Sequence, residues 1–98
     1  MTRVSVLILT QANCGYCDAA QTVLERLARR YPLTISTVSL ETGEGEELAR
    51  KGGILLPPGI FFDGEPFCYG RPSEPKLRAE IERRLAASTA RSGASAAN

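Results

Sequence analysis

Histidine and tryptophan are absent from this 98-residue chain, and cysteine occurs only three times. An excess of either charge sign is also missing: 12 lysines and arginines face 11 aspartates and glutamates, a formal net charge of +1. Such a balance lacks the electrostatic footprint of a nucleic-acid or membrane binder, and neither is expected as a partner. Long apolar runs are missing too. Val4 to Leu9 is far too short to span a bilayer, and Met1-Thr2-Arg3 before it shows no small-residue cleavage pattern of a signal peptide. A cytoplasmic protein is the expectation. The length suits one small domain with an economical core and leaves no room for a second.

An odd number of cysteines does not fit a framework of structural disulfides. Two of them, Cys14 and Cys17, enclose Gly15 and Tyr16, and this close pair is left as redox-active or metal-binding. The pair directly follows the apolar run and opens an amphipathic stretch, which places it at the seam between a strand and a helix N-terminus. Backbone N–H groups there favour negative charge, and the thiolate is the reactive form of cysteine. Chemistry is therefore the first reading of the pair.

The aliphatic run Val4 to Leu9 predicts a central strand buried on both faces. A helix is expected from about Cys14 to Arg30, with Cys17, Ala20, Leu24, Leu27 and Tyr31 on one stripe and Val23 beside them, and Pro32 stops it. Leu33 to Leu40 alternates with period two, as a strand with one solvated face does. Glu41 to Glu47 reads as a solvated acidic loop that leads into a short helix, about Glu46 to Lys51, closed by Gly52-Gly53. Gly59 to Phe62 and Pro66 to Tyr69 form a hairpin through Asp63-Gly64. Ser73 caps a last helix, about Glu74 to Ala87, with Leu77, Ile81 and Leu85 inward and Arg78–Glu82 and Glu80–Arg84 pairs outward. Residues 88–98 are rich in alanine, serine and glycine and read as a flexible tail, which leaves one domain over residues 1–87. The fold class is α/β: a four-stranded mixed sheet flanked by three helices, its first strand pair parallel and its second antiparallel.

Thr10-Gln11-Ala12-Asn13-Cys14-Gly15-Tyr16-Cys17 after the first strand, with Leu56-Pro57-Pro58-Gly59-Ile60-Phe61-Phe62-Asp63-Gly64 at the third, resembles the thioredoxin superfamily. The short interval from Pro58 to Gly64 resembles its glutaredoxin-like branch, and the likeness covers about residues 3 to 87. It implies a thioredoxin-like fold. It further implies that Cys14 is the exposed nucleophile, Cys17 the resolving thiol, and Asn13, Gly15, Tyr16, Pro57 and Pro58 the substrate-binding residues. Pro58 takes the place of the family's cis-proline. In the family, the residue before that proline binds the substrate backbone through both its N–H and its C=O, and Pro57 has no N–H. Other departures place the chain between two types. Gln11 stands where glutaredoxins offer a lysine, and Cys68-Tyr69 where they have Gly-Gly, which leaves Arg71 and Glu74 as the nearby charges for such a ligand. No tryptophan precedes the dithiol, and Ile8 holds the place of thioredoxin's buried acid.

The spacing of the pair suits thiol–disulfide exchange, because positions i and i+3 share a helix face and can close a small ring. Three further readings stay open at this point. Half a zinc site is one, although four ligands are usual, histidine is absent and only Cys68 remains. An iron–sulfur cluster bridged between two chains is another; an inert buried pair is the third. Cys68 reads as a small core residue, with exchange against Cys14 or a thiol adduct as the alternative the family's fold allows. Tyr16 lies off the helix stripe and reads as substrate-facing, and Asp18 as a solvated first-turn residue. The expected function is a dithiol–disulfide oxidoreductase that reduces protein or small-molecule disulfides through a mixed disulfide. It needs no bound cofactor and no metal, uses glutathione or another low-molecular-weight thiol as co-substrate or a reductase as partner, and is a monomer. A non-catalytic redox sensor, or an iron–sulfur or metal-binding module, is the alternative.

Overall fold

The unbroken aliphatic run forms β1 (Val4–Thr10), and the sheet is built around it. In the computed structural model, which describes residues 3–97 with side chains from Arg3 to Ser88, the elements follow as α1 (Gly15–Leu27), β2 (Leu33–Ser39), α2 (Gly43–Gly52), β3 (Gly59–Phe62), β4 (Glu65–Tyr69) and α3 (Glu74–Ala97). The strand order is β2-β1-β3-β4. β1 runs parallel to β2, with Val4 opposite Leu33 and Thr10 opposite Ser39, and antiparallel to β3, which is antiparallel to β4. This is the mixed four-stranded, three-helix architecture expected. Among the described residues, no helix is long and apolar enough to cross a membrane.

Alternation along β1 divides the interior in two. Val4, Val6 and Ile8 point into the larger core, where Ile60 and Phe62 of β3 meet Ala20, Leu24 and Leu27 of α1 and Leu77 and Ile81 of α3. Leu7 and Leu9 point the other way, into a smaller cluster with Ile54, Phe61, Leu48 and Ala49. β2 serves both. Leu33 and Ile35 join the larger core, whereas Val38 and Leu40 join the smaller one, so the strand does not keep a single solvated face. The apolar positions change from odd to even between Ile35 and Val38 while the pairing with β1 runs on unbroken, so the two halves bury opposite faces.

Element ends differ from expectation for local reasons. α1 stops at Leu27, three residues before the expected Arg30: the amides of Arg29 and Arg30 bond back three residues to Arg26 and Leu27, at 3.2 and 2.9 Å. Pro32 bars its predecessor from continuing the helix. α2 starts earlier than expected and absorbs part of the acidic loop, because the Thr42 hydroxyl caps it, accepting the Gly45 N–H at 3.0 Å. Gly45 is fixed by close approach: a Cβ there would collide with the Ser39 carbonyl. Gly45→Ala should therefore cost about 1–3 kcal/mol, read as a lower urea midpoint with the slope unchanged; an unchanged midpoint would contradict this packing.

The hairpin turns through Asp63 at φ 51° and Gly64 at φ 84°, both in the left-handed region that a tight two-residue turn demands. α3 begins behind Ser73, whose Oγ accepts the Lys76 N–H at 3.2 Å, and Glu80 pairs with Arg84 at 2.7 Å as expected. Glu82 instead accepts the Tyr31 hydroxyl. Arg84 also reaches Glu65 at 2.8 Å and Asp63 at 3.3 Å, clamping α3 to the hairpin. Helical backbone continues past Ala87, where apolar periodicity ends, since no proline interrupts the alanine-rich segment. Beyond Ser88, the tail expected over 88–98 lies outside the described side chains.

Candidate active site

Register brings three chain segments to one end of the sheet. Leu9 is opposite Gly59, and Gly59 is opposite Tyr69. The loop Gln11 to Asn13 that continues β1, the Pro57–Pro58 segment that enters β3, and Gly70-Arg71 that leaves β4 therefore lie side by side. A 2.9 Å bond from the Gly70 N–H to the Pro58 carbonyl ties the second to the third. The bond between Pro57 and Pro58 is cis. The first segment is held from β2's side, where the Leu40 N–H donates to the Thr10 carbonyl at 2.7 Å and the Ala12 N–H donates to the Glu41 carboxylate at 3.2 Å.

Asn13 turns the chain at φ 55°, a left-handed conformation that asparagine tolerates, and delivers Cys14 to the N-cap of α1. The Cys14 sulfur takes the capping role that a hydroxyl or carboxylate oxygen usually plays: it accepts the Cys17 N–H at 3.1 Å. Cys14 and Cys17 are joined as a disulfide, with their Cα atoms 5.2 Å apart. The two differ sharply in access. Cys17 is 4% exposed on the buried stripe of α1, whereas Cys14 is only half-buried. After reduction, the same N–H and the helix terminus behind it favour a thiolate on Cys14.

Gly15 leaves the space before the disulfide open, since a Cβ there would meet nothing within 4 Å. Tyr16 is 54% exposed, off the core stripe as expected, and the Arg71 guanidinium lies 5.7 Å from its ring centroid. Pro58 is buried and Pro57 half-buried. Just before them, Leu55 and Leu56 are 75% and 61% exposed, so the rim of the site is apolar. Sequence reasoning did not single out these leucines, nor Glu41, whose contact with Ala12 spans 29 residues and has no local signal.

Two other candidates are committed elsewhere. Glu74 pairs with Arg26 of α1 at 2.7 Å, and the hydrogen bond from Arg26 holds its carboxyl below the usual range. Cys68 lies opposite Ile60 within the sheet, half-buried against the larger core, and burial pushes its thiol up. A raised thiol holds less thiolate at a given pH. In the reduced protein, Cys14 should be alkylated by iodoacetamide before Cys17 and Cys68 below pH 8, with Cys68 gaining only as the pH rises; mass mapping that finds equal rates would contradict the helix-terminus argument. Among the described residues, no group of three or more histidine, cysteine or acidic side chains is placed to hold a metal ion.

A half-buried cysteine at a helix start, joined by its sulfur to a buried one a turn on, is arranged to exchange disulfides, and the comparisons agree. A thioredoxin of Methanocaldococcus jannaschii is 28% identical over 85 residues, covering 87% of this chain and 100% of that protein. A probable thioredoxin of Archaeoglobus fulgidus is 28% identical over 80 residues, covering 82% and 88%. Among solved structures, a mutant thioredoxin from Halobacterium salinarum superposes with a TM-score of 0.66 at 25% identity, over 82% of this chain and 73% of that one. A thioredoxin-like protein from Clostridium perfringens shares the fold, with a TM-score of 0.68 at 20% identity over 82% and 69%. No protein-family model matches the chain. Fold, disulfide and relatives together define a dithiol–disulfide oxidoreductase. Thioredoxin relatives in sequence and thioredoxin neighbours in structure alike support a thioredoxin-superfamily protein. Its relatives are thioredoxins, so the glutaredoxin branch expected from the Pro58-to-Gly64 interval is not supported, and neither is the reading as a sensor or metal module.

Proposed function

We propose that Cys14 is the nucleophile and Cys17 the resolving thiol of a disulfide reductase whose groove is lined by Asn13, Gly15, Tyr16, Pro57 and Pro58. The observation that carries this is the Cys17 N–H aimed at the Cys14 sulfur while Cys17 itself is buried. In the reduced protein, the Cys14 thiolate attacks one sulfur of the substrate disulfide, forming a mixed disulfide and expelling the first substrate thiolate. The Cys17 thiolate then attacks the Cys14 sulfur, which closes the enzyme disulfide and expels the second. Two electrons pass from enzyme to substrate. A reductase, or a low-molecular-weight thiol such as glutathione, returns them, in a monomer working in the cytoplasm without a bound cofactor.

Pro57 shapes what the groove accepts. Its carbonyl can still accept a bond from an extended substrate, but without an N–H it offers half of a ladder pair. The exposed Leu55 and Leu56 supply apolar contact next to it. Dithiothreitol-driven reduction of insulin tests the proposal: the purified protein should accelerate it severalfold at micromolar concentration, and no acceleration would overturn the reading.

A further inference from the structure

The Arg71 guanidinium lies 5.7 Å from the centroid of the Tyr16 ring, and Tyr16 stands between the two cysteines of the reaction centre. The Arg71 backbone is fixed from both sides: the preceding Gly70 donates to the Pro58 carbonyl at 2.9 Å, and Pro72 follows it. Arg71 also lines a cleft of about 310 Å³ with Lys76, Ser73 and Cys68. The Lys76 charge is felt at the Cys68 thiol. Glu74, the carboxylate that enters this stretch of chain, is occupied by Arg26. One cation, Arg71, thus lies beside Tyr16 next to the dithiol, and a second, Lys76, shares the adjoining cleft with it, on a protein whose net charge is only +1.

We infer that Arg71 is a specificity-determining residue that selects disulfides flanked by acidic residues. The inference rests on the reading of Cys14 as nucleophile and names the substrate class for that site. A guanidinium spread over an aromatic ring is held in place without losing its charge, and its edge N–H groups remain open to a carboxylate. A peptide laid along the apolar rim, with an aspartate or glutamate beside its disulfide, gains this contact. A basic neighbour meets repulsion there.

Matched peptide disulfides that differ only in acidic, neutral or basic flanking residues test the assignment through kcat/KM. The wild-type protein should favour acidic over neutral flanks by about 3–10-fold at low ionic strength, mainly through KM, and 0.5 M salt should erase most of the preference. Arg71→Gln should bring the ratio to about 1, and Arg71→Lys, which keeps the charge, should restore part of it. Equal rates in the wild type, or an unchanged ratio in Arg71→Gln, would overturn the assignment while leaving the oxidoreductase in place. Failure to reduce any of the peptides would overturn both.

Discussion

Cys14→Ser should reduce disulfide-reductase turnover to background, a loss of about 10³-fold or more, equivalent to about 4 kcal/mol of transition-state stabilisation or more. A hydroxyl at the same N-cap can still accept the Cys17 N–H, so folding should survive and the loss should be chemical. Cys17→Ser separates the two halves of the reaction. Attack by Cys14 stays possible, but nothing displaces it, and a covalent adduct with the substrate should accumulate and appear as a mass increase removed by dithiothreitol. If Cys14→Ser retains turnover, or if Cys17→Ser traps no adduct, the assignment of roles fails. The reverse pattern, with an adduct on Cys17, is not expected from a residue that is 4% exposed.

The second large effect concerns stability. Phe62 is fully buried in β3, packs edge-on against Phe67 with ring centroids 5.2 Å apart, and carries the Arg84 guanidinium 5.7 Å from its ring centroid. Phe62→Ala should cost about 3–5 kcal/mol, from lost transfer energy and the cavity left behind. A domain of this size has about 5–15 kcal/mol in total, so the variant should unfold at much lower urea or be partly unfolded in buffer. Phe62→Leu should recover most of the loss. A cost below about 1 kcal/mol for the alanine variant would mean that the site can collapse around the gap and that the larger core is not organised on this ring.

Much of this molecule is legible from local pattern. The stripe of Cys17, Ala20, Leu24 and Leu27, the Asp63-Gly64 turn and the Ser73 cap each depend on residues a few positions apart, and each is where the pattern puts it. The dithiol's setting is legible for the same reason, since strand, loop and helix start are consecutive. What escaped is non-local or depends on competition. The start of α2 was decided by the Thr42 cap and by the fit of Gly45 against Ser39, which outweighed the low helix propensity of two glycines. The division of β2 between two cores needed α2 in place on one side and α1 with α3 on the other. Arg71 over Tyr16 joins residues 55 positions apart in the chain, and no spacing rule reaches that far.

The strand order β2-β1-β3-β4 also bears on how the chain acquires its structure as it is synthesised. β1, α1 and β2 leave the ribosome first, but β1 is an inner strand whose second neighbour, β3, is encoded well past the midpoint. Until Ile60 and Phe62 arrive, Val6 and Ile8 lack part of the core they pack in and β1 presents an unpaired edge. The N-terminal half is thus not a folding unit by itself. Cys14 and Cys17 reach solvent before the segments that will flank them, Pro57–Pro58 and Gly70-Arg71. The groove around the dithiol is accordingly completed only when the last strands close the sheet.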